Sequence, residues 1–253
     1  MHFEEFSAGS SFVHRLDPRI KLLSAVLFSV VVAAADRVGV LTAALAGAVL
    51  LVAAARLHLR RVAVRLAIVN TFVLFLWFFL PFSQPGRAVL TLGPLTMSRE
   101  GLLLALAITI KSNAIILAVI ALLATCTVFT LVHALRHLRV PDKLVHLFFF
   151  TFRYLQVIHG EYLRLRAAMR VRCFRPRTDM HTYRSLAYLA GMLIVRSFDR
   201  SERVFQAMLC RGYDGRFWIL DHFDMRGPDR AFMAVMTVFV GLLAVGQWSS
   251  LLN

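Results

Sequence analysis

The sequence predicts an all-α integral membrane protein with about five transmembrane helices and a helical cytoplasmic coupling domain inserted before the last of them. Of its 253 residues, 59% are hydrophobic, and the mean hydropathy is +0.70. Several apolar runs approach the roughly 20 residues that cross a bilayer core about 30 Å thick. A long basic and amphipathic segment separates the fourth run from the fifth.

Five apolar runs give the predicted spans, in chain order 20–35, 38–55, 66–82, 102–126 and 231–248. They divide the chain into a membrane region of four helices (1–126), a polar segment (127–229) and a region with one last membrane helix (230–253). With the N-terminus inside, seven Lys and Arg residues flank the first four spans on the inner side and three on the outer side. Cytoplasmic loops accumulate cations, so this orientation is favoured and the polar segment is cytoplasmic.

The polar segment holds 17 of the 29 Lys and Arg residues, which explains most of the net charge of +15. Because that charge follows the topology, it does not indicate a nucleic-acid partner. A short helix-compatible stretch precedes Pro141, and two longer helices are predicted over 142–173 and 181–211. Asp142 is the predicted cap of the first long helix, and Gly212 terminates the second.

Both long helices end at an arginine, Arg172 in VRC and Arg211 in CRG. Taken singly, each is explained by the preference of cations for the last turn of a helix. Their recurrence on one basic unit favours a second interpretation, in which each guanidinium binds a carboxylate of another protein. We therefore treat both ends as candidate docking sites.

For the polar residues outside the two helix ends, the sequence favours structural roles over functional ones. Lys111 and Asn113 lie inside the fourth span, where an ionisable group normally faces a partner or a cavity, and snorkelling of the lysine or its pairing within the bundle is favoured over a transport role. His133 and His137 have the i, i+4 spacing of metal ligands, but no neighbouring acidic or thiol residue completes a site. The chain shows no phosphate-binding loop, dinucleotide turn, nucleophile elbow or zinc-protease helix, so no catalytic or nucleotide site is predicted.

The N-terminal stretch FVHRLDPRIKLL and the two arginine ends together resemble the T component of energy-coupling factor (ECF) transporters, most closely its cobalt type, CbiQ. The family's H-x-L-D-P-R-x-K marker is matched by His14, Leu16, Asp17, Pro18, Arg19 and Lys21. Its two Ala-Arg-Gly-like motifs are matched by Val171, Arg172 and Cys173, where only the arginine is retained, and by Cys210, Arg211 and Gly212, where Cys replaces Ala.

The resemblance implies a non-catalytic scaffold in the bacterial inner membrane. Its expected partners are a pair of ABC-type ATPases, docked at the six motif residues of the helix ends, and a small membrane substrate-binding S component. No cofactor or metal is expected on this chain, since ATP and Mg would be bound by the ATPases. The implied cargo is cobalt, which links the protein to cobalamin biosynthesis.

Three alternatives stay open. The same scaffold could serve nickel, biotin or another vitamin, because the cargo would be selected by the partner. A self-sufficient metal carrier would use the histidines and Lys111, although the spans lack acidic residues. A membrane-anchored nucleic-acid binder would need basic residues arrayed with stacking aromatics, a pattern that the polar segment does not show.

Overall fold

A computed structural model describes residues 11–83, 88–92, 95–138, 140–215 and 227–248. Its helices in chain order are α1 (Phe12–Arg15), α2 (Pro18–Ala34), α3 (Val38–Ala54), α4 (Leu59–Ser83), α5 (Arg99–Leu122), α6 (Val128–His137), α7 (Asp142–Val171), α8 (Met180–Cys210) and α9 (Gly227–Trp248). An antiparallel hairpin, β1 (Ala88–Leu92) and β2 (Leu95–Ser98), precedes α5. The predicted helical membrane fold is confirmed, and the hairpin is an addition that the sequence analysis did not anticipate.

Three of the described helices, α4, α5 and α9, are long and apolar enough to cross a bilayer. The chain is therefore a multi-pass membrane protein. Helices α2 and α3 are each 17 residues long and apolar, and they fall at the first two predicted spans. Helix α4 begins at Leu59, seven residues before the predicted 66, because its first turns continue through the basic residues before the apolar run.

The described elements form two compact units. The first, called here the membrane unit, contains α1 to α6, the hairpin and α9, and the second, the two-helix unit, contains α7 and α8. Helix α6 falls in the predicted polar segment 127–229, yet it packs against α2 in the membrane unit. By its contacts α6 thus belongs to the membrane unit, and the predicted start of the cytoplasmic segment at residue 127 stays a prediction.

Small residues allow the helices of the membrane unit to approach closely. Helix α5 packs against α2, α3 and α4, and alanines such as Ala44, Ala48 and Ala118 are fully buried. A side chain at Gly47 would place its Cβ 2.4 Å from Phe239, so α3 and α9 touch through a glycine. Such close contact through small residues is how membrane helices gain packing energy without a hydrophobic drive between them.

Local sequence explains where the helices of both units begin. Asp17 caps α2, with Pro18 at the first helical position, where a missing N–H costs nothing. Asp179 caps α8 by accepting a hydrogen bond from the Thr182 N–H at 2.8 Å. The predicted cap of α7, Asp142, was wrong by one residue: Pro141 holds the cap position, and Asp142 lies in the first turn.

Candidate functional site

Arg172 is the C-cap residue of α7, so its side chain is attached where the helical backbone ends. Two hydrogen bonds close this end: the Cys173 N–H donates to the Arg170 carbonyl at 2.9 Å, and the Phe174 N–H donates to the Met169 carbonyl at 3.1 Å. This pair of bonds is a Schellman motif, which satisfies the last carbonyls of a helix and fixes the direction in which the chain departs.

Arg211 holds the same position on α8. The Gly212 N–H donates to the Leu209 carbonyl at 3.0 Å, and the Tyr213 N–H donates to the Met208 carbonyl at 3.1 Å. Both helices thus end in one motif with the arginine at its cap. We call residues 169–174 the α7 end and residues 208–213 the α8 end.

The shared geometry includes two positions that the sequence analysis left out. Each end begins with a methionine, Met169 or Met208, and finishes with an aromatic residue, Phe174 or Tyr213. In Schellman motifs the side chains at these two positions frequently pack against each other across the last turn. At both ends the sequence contains Ala-Met with an arginine three residues after the methionine. This repeat is the signal that would have revealed the two positions.

The residue after each arginine adopts the left-handed conformation. Cys173 has φ +60° and Gly212 has φ +78°. Glycine adopts this conformation freely, whereas a residue with a Cβ is strained in it. The α7 end therefore has the backbone conformation that glycine favours, although a cysteine occupies that position.

Both arginines and both neighbouring cysteines, Cys173 and Cys210, are exposed. Arg172 borders a hollow of about 800 Å³ and Arg211 a hollow of about 450 Å³, each formed by residues of the two-helix unit. The structure thus presents two guanidinium groups on ordered helix ends, each beside a recess.

Helices α7 and α8 are joined by an ion pair between Glu161 and Arg196. Glu161 also contacts Arg164 at 3.3 Å. The hydrogen bond from Arg196 is the main reason that the pKa of Glu161 lies below its usual value. The pKa of Asp179 is lowered as well, chiefly by its hydrogen bond with Thr182. Both carboxylates stay ionised at neutral pH, so the ion pair and the helix cap persist there.

The N-terminal marker residues join four segments of the membrane unit. Lys21 is 1% exposed, and its Nζ donates to the His14 carbonyl at 3.3 Å, to Thr125 Oγ1 at 3.5 Å and to Cys126 Sγ at 3.4 Å. The Asp17 N–H donates to Asp229 Oδ1 at 3.0 Å. These contacts link α1 and the start of α2 to the residues after α5 and to the start of α9.

Most remaining marker residues support this junction. The Asp17 side chain caps α2 by accepting from the Arg19 N–H at 2.9 Å, Leu16 is buried, and the His14 ring contacts Ser11 Oγ at 2.6 Å. The marker therefore holds α1 and α2 to the residues that follow α5 and to the start of α9.

Lys111 is paired, which is one of the two structural roles that the sequence analysis favoured. Its Nζ lies 2.9 Å from Asp36 Oδ1 and 3.2 Å from the Ala33 carbonyl. Asn113 exchanges two amide hydrogen bonds with Asn70, at 3.0 and 3.1 Å. Both residues therefore tie α5 to neighbouring segments.

The His133 and His137 rings stack with centroids 5.3 Å apart. Within the described residues, no group of three His, Cys, Asp or Glu side chains is placed to hold a metal ion. A histidine pair alone supplies two ligands, fewer than the three protein ligands of a catalytic zinc site.

Comparison with known proteins gives evidence on the family of this chain that is independent of the helix ends. Residues 9–218 match the model of the cobalt transport protein family CbiQ. A cobalt transport protein CbiQ of Rhodobacter capsulatus is 26% identical over 66% of this chain and 69% of its own length.

Two uncharacterized proteins of Methanocaldococcus jannaschii are also similar. One is 21% identical over 96% of this chain and 85% of its own length. The other is 29% identical over 47% of this chain, and that alignment spans 45% of the relative's own length.

Proposed function

The chain belongs to the CbiQ family of cobalt transport proteins, and we propose that it is the transmembrane coupling subunit, or T component, of an ECF-type ABC importer. In this role it transmits the motion of partner ATPases to a small membrane subunit that binds the substrate. Cobalt is the proposed cargo, in keeping with the family's description.

The observation that carries this proposal is the pair of matching helix ends. Arg172 and Arg211 cap the two long helices of one unit with the same hydrogen-bonding pattern. A guanidinium forms bidentate bonds to a carboxylate, and its planar fork loses less entropy per hydrogen bond than a lysine does. We assign ATPase docking to 171–173 and 210–212.

The coupling step follows from the construction of the two-helix unit. When the ATPases bind ATP and close, their docking sites move, and the helices bound to them move as rigid rods. The pairing of Glu161 with Arg196 ties α7 to α8 at one point, and apolar residues on one face of α8, such as Ile194 and Phe198 with i, i+4 spacing, remain exposed. Such a face can slide against a partner helix.

The proposed role assigns ATP and Mg to the ATPases and no cofactor or catalytic residue to this chain. The N-terminus and the two-helix unit lie on the cytoplasmic side of the inner membrane, where ATP is available. The marker residues around Lys21 then act at the inner ends of α2, α5 and α9, where they hold these three helices together.

Purification of the tagged chain from its native host in a mild detergent, followed by mass spectrometry, tests the assignment. We expect an ABC-type ATPase and a small apolar membrane protein to copurify in constant proportion. Recovery of the chain alone, from a preparation that retains its helical circular dichroism, would contradict the proposal.

The cargo is tested separately, because the partner selects it. ATP-dependent uptake of cobalt by the reconstituted complex supports cobalt, whereas uptake of nickel, biotin or another vitamin in its place would keep the coupling role and change the cargo. The rival of a self-sufficient carrier predicts metal uptake by liposomes that contain this chain without any ATPase.

A further inference from the structure

The two docking ends differ in the charge of their surroundings, although their backbones match. The hollow at the α7 end is lined by four arginines, Arg172, Arg175, Arg177 and Arg196, with Asp179 as its acidic residue. The hollow at the α8 end is lined by two arginines, Arg153 and Arg211, with Asp214. The excess of positive charge is therefore concentrated beside α7.

Within the described residues, the acidic groups near the α7 end are engaged elsewhere. The Asp179 carboxylate accepts from the Thr182 N–H, and Arg196 is paired with Glu161. The guanidinium groups of Arg172, Arg175 and Arg177 form no ion pair in this part of the chain. Three cations thus share one recess about 800 Å³ in volume.

The segment between α7 and α8 is held in place by a hydrogen bond and a ring contact. The Arg177 N–H donates to Thr182 Oγ1 at 3.0 Å, and Thr182 is 5% exposed. The rings of Phe174 and His181 lie with centroids 6.3 Å apart beside the same recess. The backbone that carries the three cations is held to the start of α8.

Apolar side chains line both hollows, and at the α8 end most of them are aromatic. The hollow at that end is lined by Phe149, Phe150, Tyr154 and Tyr213. Two of these rings, those of Phe150 and Tyr154, also line a neighbouring recess of about 420 Å³ between α7 and α8. A group that reaches Arg211 is therefore surrounded by aromatic rings.

From this difference in charge we infer that the two ends bind different numbers of carboxylates on the partner protein. The α7 end binds a segment with two or more carboxylates, and the α8 end binds one carboxylate seated among apolar side chains. The inference rests on the proposed docking function. It predicts that the α7 contact supplies the long-range attraction and the salt dependence of assembly, because exposed charges are screened within about 10 Å at 0.1 M salt.

The reaction rates of the native cysteines next to the two arginines depend on the local charge. They therefore report the difference between the two ends without any ATPase. In the full-length chain, Cys173 and Cys210 are exposed and Cys126 is buried, and mass spectrometry reads each thiol in its own peptide. The probes are an anionic methanethiosulfonate, the ethylsulfonate, and a cationic one, the ethyltrimethylammonium. The ratio of their rates at one thiol cancels the thiol's own reactivity.

We expect the anionic-to-cationic rate ratio to be at least about fivefold larger at Cys173 than at Cys210 in low salt. The double variant Arg175→Gln, Arg177→Gln should bring the two ratios together, whereas Arg153→Gln should leave the ratio at Cys173 unchanged. Equal ratios at both thiols in the wild-type chain would overturn the inference.

A second arm tests the carboxylate preference. A hexaglutamate peptide should protect Cys173 from N-ethylmaleimide, more than Cys210, and 0.5 M NaCl should abolish the protection. A hexaglutamine peptide is the matched control and should protect neither thiol. Equal protection by inorganic phosphate at the same charge concentration would reassign the recess to small anions. Because both arms use the chain alone, their failure is distinct from a failure to bind an ATPase.

Discussion

Cys173 and Gly212, the left-handed residues after the two arginines, give opposite predictions for substitution. Glycine should stabilise the α7 end, and cysteine should destabilise the α8 end. Cys173 occupies φ +60° and Gly212 occupies φ +78°. A Cβ in this region costs about 1–2 kcal/mol, and the extra backbone freedom of an unfolded glycine offsets about 0.5–1 kcal/mol of that. The net gain expected from Cys173→Gly is about 0.5–1 kcal/mol, which is a 2- to 5-fold shift in the opening equilibrium of the cap.

The reverse change, Gly212→Cys, should destabilise the α8 end by the same amount. A Cβ built at Gly212 meets no atom within 4 Å, so the substitution adds conformational strain without a clash. Hydrogen–deuterium exchange with overlapping peptides measures both ends, after correction for the intrinsic exchange of each sequence. The informative amides are those of Phe174 and Tyr213, which are bonded to Met169 and Met208.

Exchange at Phe174 should slow 2- to 5-fold in Cys173→Gly, and exchange at Tyr213 should accelerate 2- to 5-fold in Gly212→Cys. Cys173→Ser keeps the Cβ and is the control that should change neither amide. Unchanged exchange in both variants, or slower exchange at Tyr213 in Gly212→Cys, would refute the assignment of strain to the left-handed position.

Three further predictions concern the interior of each unit. Lys21→Met should lower the melting temperature in detergent, because it leaves the His14 carbonyl in α1 and the buried Thr125 hydroxyl after α5 without their donor, at a cost of about 1–3 kcal/mol. Gly101→Ala should also destabilise the membrane unit, by about 1–3 kcal/mol, because its Cβ would lie 2.6 Å from the Leu80 carbonyl. Glu161→Gln should remove an acid-dependent loss of exchange protection along α7 and α8: the folded-state pKa is lowered, so the stabilisation is present above the ordinary Glu pKa of about 4.3 and is lost as the pH falls through the folded value.

Each of these predictions has a control or a contradicting outcome. Gly39→Ala is the matched control for Gly101→Ala, since nothing lies within 4 Å of its Cβ; equal melting of the two variants would argue against the close contact with α4. An unchanged melting temperature in Lys21→Met would mean that the marker does not hold the junction together. Wild-type α7 and α8 that keep full protection through acid would exclude a stabilising role for Glu161.

Residues whose function follows from local sequence were the easiest to place. The helix ends at Arg172 and Arg211 follow from capping preferences and apolar periodicity. The pairing of Lys111 was one of two expected roles, because a cation in a span normally faces a partner or a cavity, but the identity of that partner, Asp36, depends on packing between α5 and the residues after α2.

Features set by tertiary contact could not be read from one chain. The bond between Asp17 and Asp229 joins residues 212 positions apart, and the contacts of Lys21 depend on how α2 packs against the residues after α5. The clustering of Arg175 and Arg177 beside Arg172 requires the turn held by Thr182. Composition marked these residues as charged without indicating which of them share a recess.

Retention of the copurifying ATPase by variants of the full-length chain tests the central claim most directly. Arg172→Ala and Arg211→Ala should each weaken the complex by about 2–5 kcal/mol, a loss of about 30-fold or more in affinity. The double variant Arg166→Ala, Arg203→Ala removes one exposed arginine from each of α7 and α8 away from the ends and should retain the ATPase. If the Arg172→Ala, Arg211→Ala double variant retains as much ATPase as this control, the arginines serve as helix caps alone and the docking account is contradicted.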